Sequence, residues 1–291
     1  MKKKGRRRYF TGACMLLVLA VCFKAACSQE LAIPYYIEIS DKVAEPIRLA
    51  VLTDLHSTFY GEDQEELIGA LYEQKPDAVL LVGDIADDQV SHEGTEVLLQ
   101  AIGKQYPCFY VTGNHEYWSG EEKEIKKMIA SYGVTVLEGA GSILRVGGQQ
   151  IHICGVDDPD GYGQKHQHNP MAMAEWENQL MRCRQELDRR NYSVLMTHRP
   201  ELVTYYTHTE GEDPAGFDLV VAGHAHGGQV RIPGLMNGLI APNQGWFPEY
   251  AGGRYVLGDT VMIVSRGLCR NLLPRVFNRP ELVMVEIWPE G

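Results

Sequence analysis

The chain reads as an α/β protein: two layers of β-sheet flanked by helices. Three observations carry this. Short apolar, β-branched runs recur from about residue 35 to residue 288. In the first half they alternate with helix-length amphipathic stretches, the pattern of βαβ units with parallel strands. In the second half the strand-like runs crowd together around Gly-rich turns, which calls for a further β layer. With no internal repeat and no Ser- or Pro-rich linker after Pro34, residues 35–288 are expected to form one domain.

Element by element, residues 35–40 alternate as a strand does, and 47–53 form an apolar run that ends at Asp54. Residues 62–73 read as a helix, 78–82 as a strand, 95–104 as a helix, 108–112 as a strand and 121–132 as a helix. Residues 142–146 and 150–154 flank Gly147-Gly148, a hairpin signal. A helix over about 171–189 opens with Asn169-Pro170, a good cap followed by a good first-turn residue. Strands are then expected at 193–197, 219–222, 229–232, 254–257, 261–265 and 282–288.

Charge is unevenly distributed. Residues 1–28 hold seven basic side chains (Lys2, Lys3, Lys4, Arg6, Arg7, Arg8 and Lys24) and no acidic one. The remainder therefore carries 20 of the 27 basic residues against 38 acidic ones, a net charge of −18. So acidic a body argues against a nucleic-acid-binding module. The basic cluster at 2–8 precedes an uninterrupted apolar run, Ala13 to Phe23, whose length suits a signal-peptide core better than a full span of roughly 20 residues. Residues 1–28 are thus expected to be a signal peptide or, with Lys24 at the interface, a short membrane anchor. The body that follows is expected outside the cytoplasm. Arg7-Arg8-Tyr9-Phe10 resembles a twin-arginine signal, with Arg6 where Ser or Thr is usual; Ala25-Ala26-Cys27 resembles a lipoprotein signal, with Lys24 where an aliphatic residue is usual. None of the seven cysteines forms a C-x-x-C pair, which argues against a thiolate zinc site, and Cys108 and Cys154 read as small buried hydrophobes.

The chemistry lies in short runs of donors that each follow an apolar strand: Asp54-x-His56, Gly83-Asp84, Gly113-Asn114-His115-Glu116, His198, and Gly223-His224-Ala225-His226-Gly227-Gly228-Gln229. In extended chain, residues i and i+2 share a face, so Asp54 and His56 can grip one cation. Gly83 permits the turn that aims Asp84, whose two oxygens can bridge two cations. Asn114 adds a neutral carbonyl oxygen, and His198, His224 and His226 add imidazoles. Five strand ends would then meet on one rim, where open α/β sheets place their ligands. Each run alone is commonly a turn or a satisfied histidine; all five in order, each after a strand, are not.

The order D-x-H, G-D, G-N-H-[DE], H, G-H-x-H resembles that of the calcineurin-like metallophosphoesterases. The likeness covers about residues 48–286, and Thr197-His198-Arg199-Pro200-Glu201, Ser265-Arg266-Gly267-Leu268, Pro274-Arg275 and Arg279-Pro280-Glu281 resemble the exported or membrane-associated bacterial branch. The resemblance implies the family's α/β/β/α fold and two metals, the first held by Asp54, His56, Asp84 and His226, the second by Asp84, Asn114, His198 and His224. It implies that His115 stays unligated and protonates the leaving oxygen, with Glu116 orienting or supporting it.

Imidazole and carboxylate donors without thiolate suit two divalent ions, manganese or zinc before iron. Asp87 stands where purple acid phosphatases have a tyrosine, which argues against a ferric–tyrosinate centre. The expected reaction is metal-dependent hydrolysis of a phosphoester, a diester first, by a metal-bridging hydroxide. Phosphomonoester hydrolysis and cleavage of a nucleotide-sugar or lipid pyrophosphate are the alternatives within the enzyme class. A metal-dependent envelope binding protein is the alternative outside it. Ser57 and Thr112 lack an adjacent base that would suggest a covalent route. Asp157-Asp158 reads equally as a turn or as a loop near the metals, and Arg266 and Arg275 equally as ion pairs or as phosphate contacts. His166 and His168 read as a solvated loop, and His92, His152 and His208 as structural. The segments 157–169 and 233–253 are expected to shape the pocket mouth around an envelope-derived phosphoester.

Overall fold

The computed structural model describes residues 23–162, 170–207, 216–270 and 275–291, with Met15 and Val21 besides. Most of the leader, the Asn169 cap, His166, His168 and His208 lie outside the described residues. The first half runs β1 (Tyr35–Ser40), β2 (Ile47–Leu52), α1 (Glu65–Gln74), β3 (Ala78–Val82), α2 (Glu93–Ile102), β4 (Cys108–Val111), α3 (Asn114–Ser119), α4 (Glu122–Ser131) and β5 (Thr135–Val136). The second half continues with β6 (Ala140–Val146), β7 (Gln149–Gly155), α5 (Pro170–Gln185), β8 (Tyr192–Met196), α6 (Val203–Tyr206) and β9 (Leu219–Ala222). It closes with β10 (Ile240–Ala241), β11 (Gly245–Trp246), β12 (Gly253–Leu257), β13 (Thr260–Val264) and β14 (Val283–Pro289).

These strands form two six-stranded mixed sheets, ordered β1-β14-β2-β3-β4-β5 and β12-β13-β9-β8-β7-β6, plus a β10-β11 ribbon. In the first sheet β14 runs antiparallel to β2, while β2, β3 and β4 are parallel. In the second, β13, β9, β8 and β7 are parallel, and the β6-β7 and β12-β13 hairpins supply antiparallel edges.

Strand alternation builds the layers. Leu49, Val51, Leu80, Val82 and Val285 of one sheet pack against Ile151, Ile153, Val194, Met196 and Val221 of the other in a single buried core. The intervening residues face outward: Ala50, Leu52, Val79 and Leu81 meet Leu67 and Leu71 of α1, Leu98 and Leu99 of α2, and Ile125 and Ile129 of α4. On the far side Cys154, Leu195, Val220 and Met262 meet Trp176, Leu180 and Cys183 of α5. The central strands are therefore apolar on both faces, as strands covered on both sides must be. Each fully buried Leu or Val contributes roughly 1.5–3 kcal/mol over an exposed one. The arrangement is helix, sheet, sheet, helix, the two-layer α/β fold expected from the sequence.

Some expectations need correction. Residues 229–232 do not form a strand; only single bridges, Val230 to Val276 and Ile232 to Met236, form there. Positive φ at Gly228 and Gln229 turns the chain, and Pro233 cannot donate to a ladder. The helix expected at 62–73 begins with a separate 3-10 turn, Glu62–Gln64, because Asp63 and Gln64 adopt φ of 50° and 63°. The short elements α3, α6, β5, β10 and β11 were not foreseen, being too brief to display a period.

Candidate metal centre

Asp54, Asp84, Asn114, His198 and His224 follow the C-terminal ends of β2, β3, β4, β8 and β9. Because these strands are parallel within each sheet and the sheets are stacked, their ends meet on one rim. Asp54, His56, Asp84, His224 and His226 all have positive φ, between 45° and 65°. Such backbone costs of order 1–3 kcal/mol per residue and persists where surrounding structure enforces it, chiefly at functional sites. Two glycines allow the close approach. A Cβ on Gly113 would lie 2.2 Å from Asp84 Oδ1, and one on Gly83 would lie 2.4 Å from His198 Nδ1.

The donors assemble into two sets. Asp54, His56 and His226 place ligand atoms within 4.8 Å of one another, as do Asp84, His198 and His224. Asp84 Oδ2 stands between them, 3.6 Å from His56 Nε2 and 3.1 Å from His198 Nε2. Asn114 is buried beside them.

Hydrogen bonds on the far side of His198, His56, His224 and Asp84 set which atom faces inward. The His198 Nδ1–H donates to Val82 O at 3.0 Å, leaving Nε2 for a cation. His56 Nδ1 meets Asp87 Oδ2 at 2.9 Å, leaving its Nε2. His224 Nε2 is 2.9 Å from Asn243 Oδ1, leaving its Nδ1. The His115 amide donates to Asp84 Oδ1 at 2.9 Å, leaving Oδ2. Of the atoms so left, His56 Nε2 is buried with no hydrogen-bond partner, as is Asn114 Oδ1, while Asp84 Oδ2 and His198 Nε2 are buried with only each other within reach, 3.1 Å apart. Buried polar atoms are rarely left so, and several aimed at one point fit divalent cations.

Charge agrees with this fit. Burial would lower the His198 imidazole, yet the Asp84 and Asp54 carboxylates overcome it and hold it up at about 10. Asp84, despite burial, is held well below the carboxylate range by His198 and His56. The carboxylates thus demand positive charge, which bound cations would supply in place of protons. His224 and His226 go the other way. Burial, with Arg199 beside one and His56 beside the other, keeps both imidazoles neutral, His226 at about 4, and so open to ligation.

His115 lies at the edge of the cluster. Its ring meets His56 edge-on, centroids 4.3 Å apart, and Trp118 packs on its other side at 4.8 Å. Its Nδ1 is 2.6 Å from Asp88 Oδ1 and 3.8 Å from Asp87 Oδ2. With Nδ1 engaged by Asp88, Nε2 is the ring nitrogen left open.

Glu116 directs its carboxylate to backbone amides. Its carboxylate accepts the N–H groups of Gly113 at 2.8 Å, Asp84 at 3.0 Å, Ile85 at 2.8 Å and Ala86 at 3.1 Å. It therefore pins the Asp84 and Asn114 loops together, and Asp88 is the acid that orients His115. Burial and the Asp84 charge push Glu116 up to about 7, while these amides favour the ionised form.

Other candidates have partners within the fold, and Asp158 reaches the candidate ligands through Arg199. Thr112 Oγ1 donates to Asp157, and Asp157 is also held by Lys126. Asp158 grips the buried Arg199 through two bonds, 2.6 and 2.9 Å, and Arg199 Nη1 lies 3.4 Å from His224 Nε2. Ser57 Oγ pairs with Thr95. Arg266 pairs with Glu281, and Arg275 donates to backbone carbonyls of Gly267 and Cys269. His92 contacts Asp87 O, and His152 is buried beside Gly141. Sequence reasoning passed over Asp88, Arg199 and Asn243 as site residues. Asp88 had a local signal in its place beside Asp87, and Arg199 in its place beside His198.

A family model described as calcineurin-like phosphoesterase matches residues 47–228, more than half of the chain. An uncharacterized metallophosphoesterase of Bacillus subtilis, YkuE, is 28% identical over 244 residues, which cover 81% of this chain and 77% of that protein. The phosphodiesterase YaeI of Escherichia coli is 27% identical over 250 residues, covering 84% and 83%. Among solved structures, the phosphopantetheinyl hydrolase PptH of Mycobacterium tuberculosis aligns at a TM-score of 0.46 with 15% identity, over 76% of this chain and 89% of that one. The matched span opens at β2 and closes at Gly228, so it takes in every proposed ligand from Asp54 to His226. The chain belongs to the calcineurin-like phosphoesterase family and is a metallophosphoesterase.

Proposed function

We propose that this enzyme hydrolyses phosphodiesters at a binuclear centre, with His115 as the proton donor. The observation that carries the reading is the set of buried donors on either side of Asp84 Oδ2; we take His115, whose Nδ1 is held by Asp88, as the imidazole left for proton transfer. Asp54, His56, Asp84 and His226 would hold one cation; Asp84, Asn114, His198 and His224 would hold the other. Manganese or zinc suits these donors first, with ferrous iron third. Bound cations supply Lewis acidity and a water of lowered pKa.

The chain's own residues do the rest. Asp87 and the Val82 carbonyl fix the His56 and His198 tautomers. Asp88 holds the His115 ring so that Nε2 can give its proton to the departing alkoxide. A singly charged diester suits the site better than a doubly charged monoester, because the nearest described cation, Arg199, is already bound by Asp158, Asp160 and Glu201. The name of the relative YaeI points the same way. The test is a panel of paired mono- and diesters on metal-stripped enzyme resupplied with one cation at a time. Higher kcat/KM on diesters supports the reading; a uniform preference for monoesters or pyrophosphates overturns it.

We further propose that residues 1–28 are a signal peptide or short anchor and that residues 35–288 act outside the cytoplasm, as in the exported branch. The basic cluster before an apolar core supports this. Among the described residues no helix is long and apolar enough to cross a membrane. Protease added to intact cells should reach the body; full-length protein free in the cytosol with its N-terminus intact would refute the placement.

A further inference from the structure

Beside the metal rim lies a second concavity that the proposed chemistry does not use. Its volume is about 500 Å³, within the range of small-molecule sites, and its walls include Arg231, Arg266, Ile232, Leu235, Met236 and Phe277. The turn 232–236 forms one side, closed by bonds from Ile232 N to Met236 O and from Met236 N to Ile232 O. The segment bearing Phe277 forms the other, joined through Arg231 N to Val276 O at 2.9 Å.

The charge inside is out of balance. Arg266 has a carboxylate partner, Glu281. Arg231, half-buried, donates Nη2 to the neutral Asn237 and makes no ion pair among the described residues. The Arg266 stem and the Arg231 Nη1 both lie against Gly252. Two cations with one carboxylate between them leave one positive charge partly desolvated, a costly arrangement unless an anion joins it. Burial and the neighbouring Arg266 act against the charge on Arg231, and Glu281 offsets them only in part.

The walls are apolar where water should favour polar side chains. Leu235 is 81% exposed, Phe277 47% and Ile232 44%. A cationic floor with exposed aliphatic and aromatic walls matches a ligand that has an acidic head and a hydrocarbon tail. The location agrees. Phe277 N–H donates to Ala26 O, so the end of the apolar leader reaches the body at the pocket wall. Gly267, next in the chain to Arg266, packs on Asp54, so the pocket adjoins the metal centre without sharing its ligands.

We propose that this pocket binds an anionic amphiphile, its acidic head on Arg231 and Arg266 and its tail along Ile232, Leu235 and Phe277. The experiment is equilibrium dialysis of the full-length, metal-loaded protein against labelled decanoate, with butyrate, decyl maltoside and inorganic phosphate as competitors. One saturable site per chain is expected, kept in chelator and in the presence of phosphate. Arg231→Gln should weaken it about tenfold, the scale of one lost charge-assisted hydrogen bond. Leu235→Asp should weaken it comparably, and at so exposed a position it does not threaten folding. Butyrate and decyl maltoside should compete poorly, each lacking half of the recognition. Binding unchanged by both substitutions would overturn the proposal. So would equal competition by butyrate, which marks a plain anion site, or by decyl maltoside, which marks an apolar patch. Displacement by phosphate or loss in chelator would assign the ligand to the metals instead, and would also overturn it.

Discussion

Replacing Asp88 with asparagine keeps the shape of the side chain and removes its charge. The carboxylate sits 2.6 Å from His115 Nδ1 and is only 10% exposed, so the contact is a shielded, charge-assisted hydrogen bond. Hydrogen bonds to charged groups are worth about 1.5–3 kcal/mol. At 1.36 kcal/mol per decade, losing that much from the transition state alone slows turnover roughly 10- to 150-fold. Removing the imidazole itself should cost more, about 10²- to 10⁴-fold, the usual contribution of a general acid. Asp87, 3.8 Å from the same nitrogen, is the reason the Asp88→Asn loss should stay below that ceiling. The assay is steady-state hydrolysis of a series of diesters whose leaving groups run from nitrophenolate to simple alkoxide. The loss should fall in kcat, grow with leaving-group pKa and nearly vanish for nitrophenolate, with metal content unchanged. An equal loss across the series would refute the reasoning, because it would mean that Asp88 supports the metal site or the fold rather than a proton transfer.

Three further outcomes follow from the same geometry. Asp84→Ala should lose both cations, since Oδ2 lies between the two donor sets, whereas His56→Ala should mainly weaken one; elemental analysis of both variants distinguishes bridge from ligand. Glu116→Gln replaces two acceptor oxygens with one, leaving amides of the Asp84 and Gly113 loops facing an NH₂ group. At about 1–3 kcal/mol per unsatisfied donor, Tm should fall by several degrees, and an unchanged Tm would deny the loop-pinning role. Metal affinity should rise with pH. His198, raised to about 10, holds a proton at neutral pH when no cation is bound, so lowering the pH strengthens the competitor; affinity should change roughly tenfold per pH unit for each proton displaced. A manganese titration at two pH values one unit apart measures this, and equal affinities would contradict it.

How much of this was legible in the sequence depends on scale. Strands such as Ala78–Val82 and Leu219–Ala222 announce themselves because burial on both faces leaves no room for polar residues. The candidate ligands stand out because five of them, Asp54, Asp84, Asn114, His198 and His224, come within three residues of the end of such a strand, and parallel pairing brings the strand ends to one rim. The residues behind the ligands do not. Asn243 reaches His224 from a loop 19 positions away, and Arg199 touches His224 only because Asp158, 41 positions earlier, aims it. Such contacts depend on tertiary packing, which no local spacing encodes. The amide contacts of Glu116 were equally hidden: adjacency to His115 suggests a partner for the imidazole, and only the first turn of α3 shows the carboxylate reaching back to the amides of Gly113 and Asp84. The same limit explains residues 229–232, whose composition suits a strand while Gly228 and Gln229 at positive φ bend them away.

The central claim is that two cations, held by Asp54, His56, Asp84, Asn114, His198, His224 and His226, make this chain a phosphodiesterase. The most direct measurement titrates metal-stripped enzyme with manganese or zinc while following bound metal and diester hydrolysis in the same sample. The account predicts negligible turnover at the start and activity that saturates at two ions per chain. Full activity in the stripped protein, or folded and active enzyme that saturates with no bound metal, would contradict it.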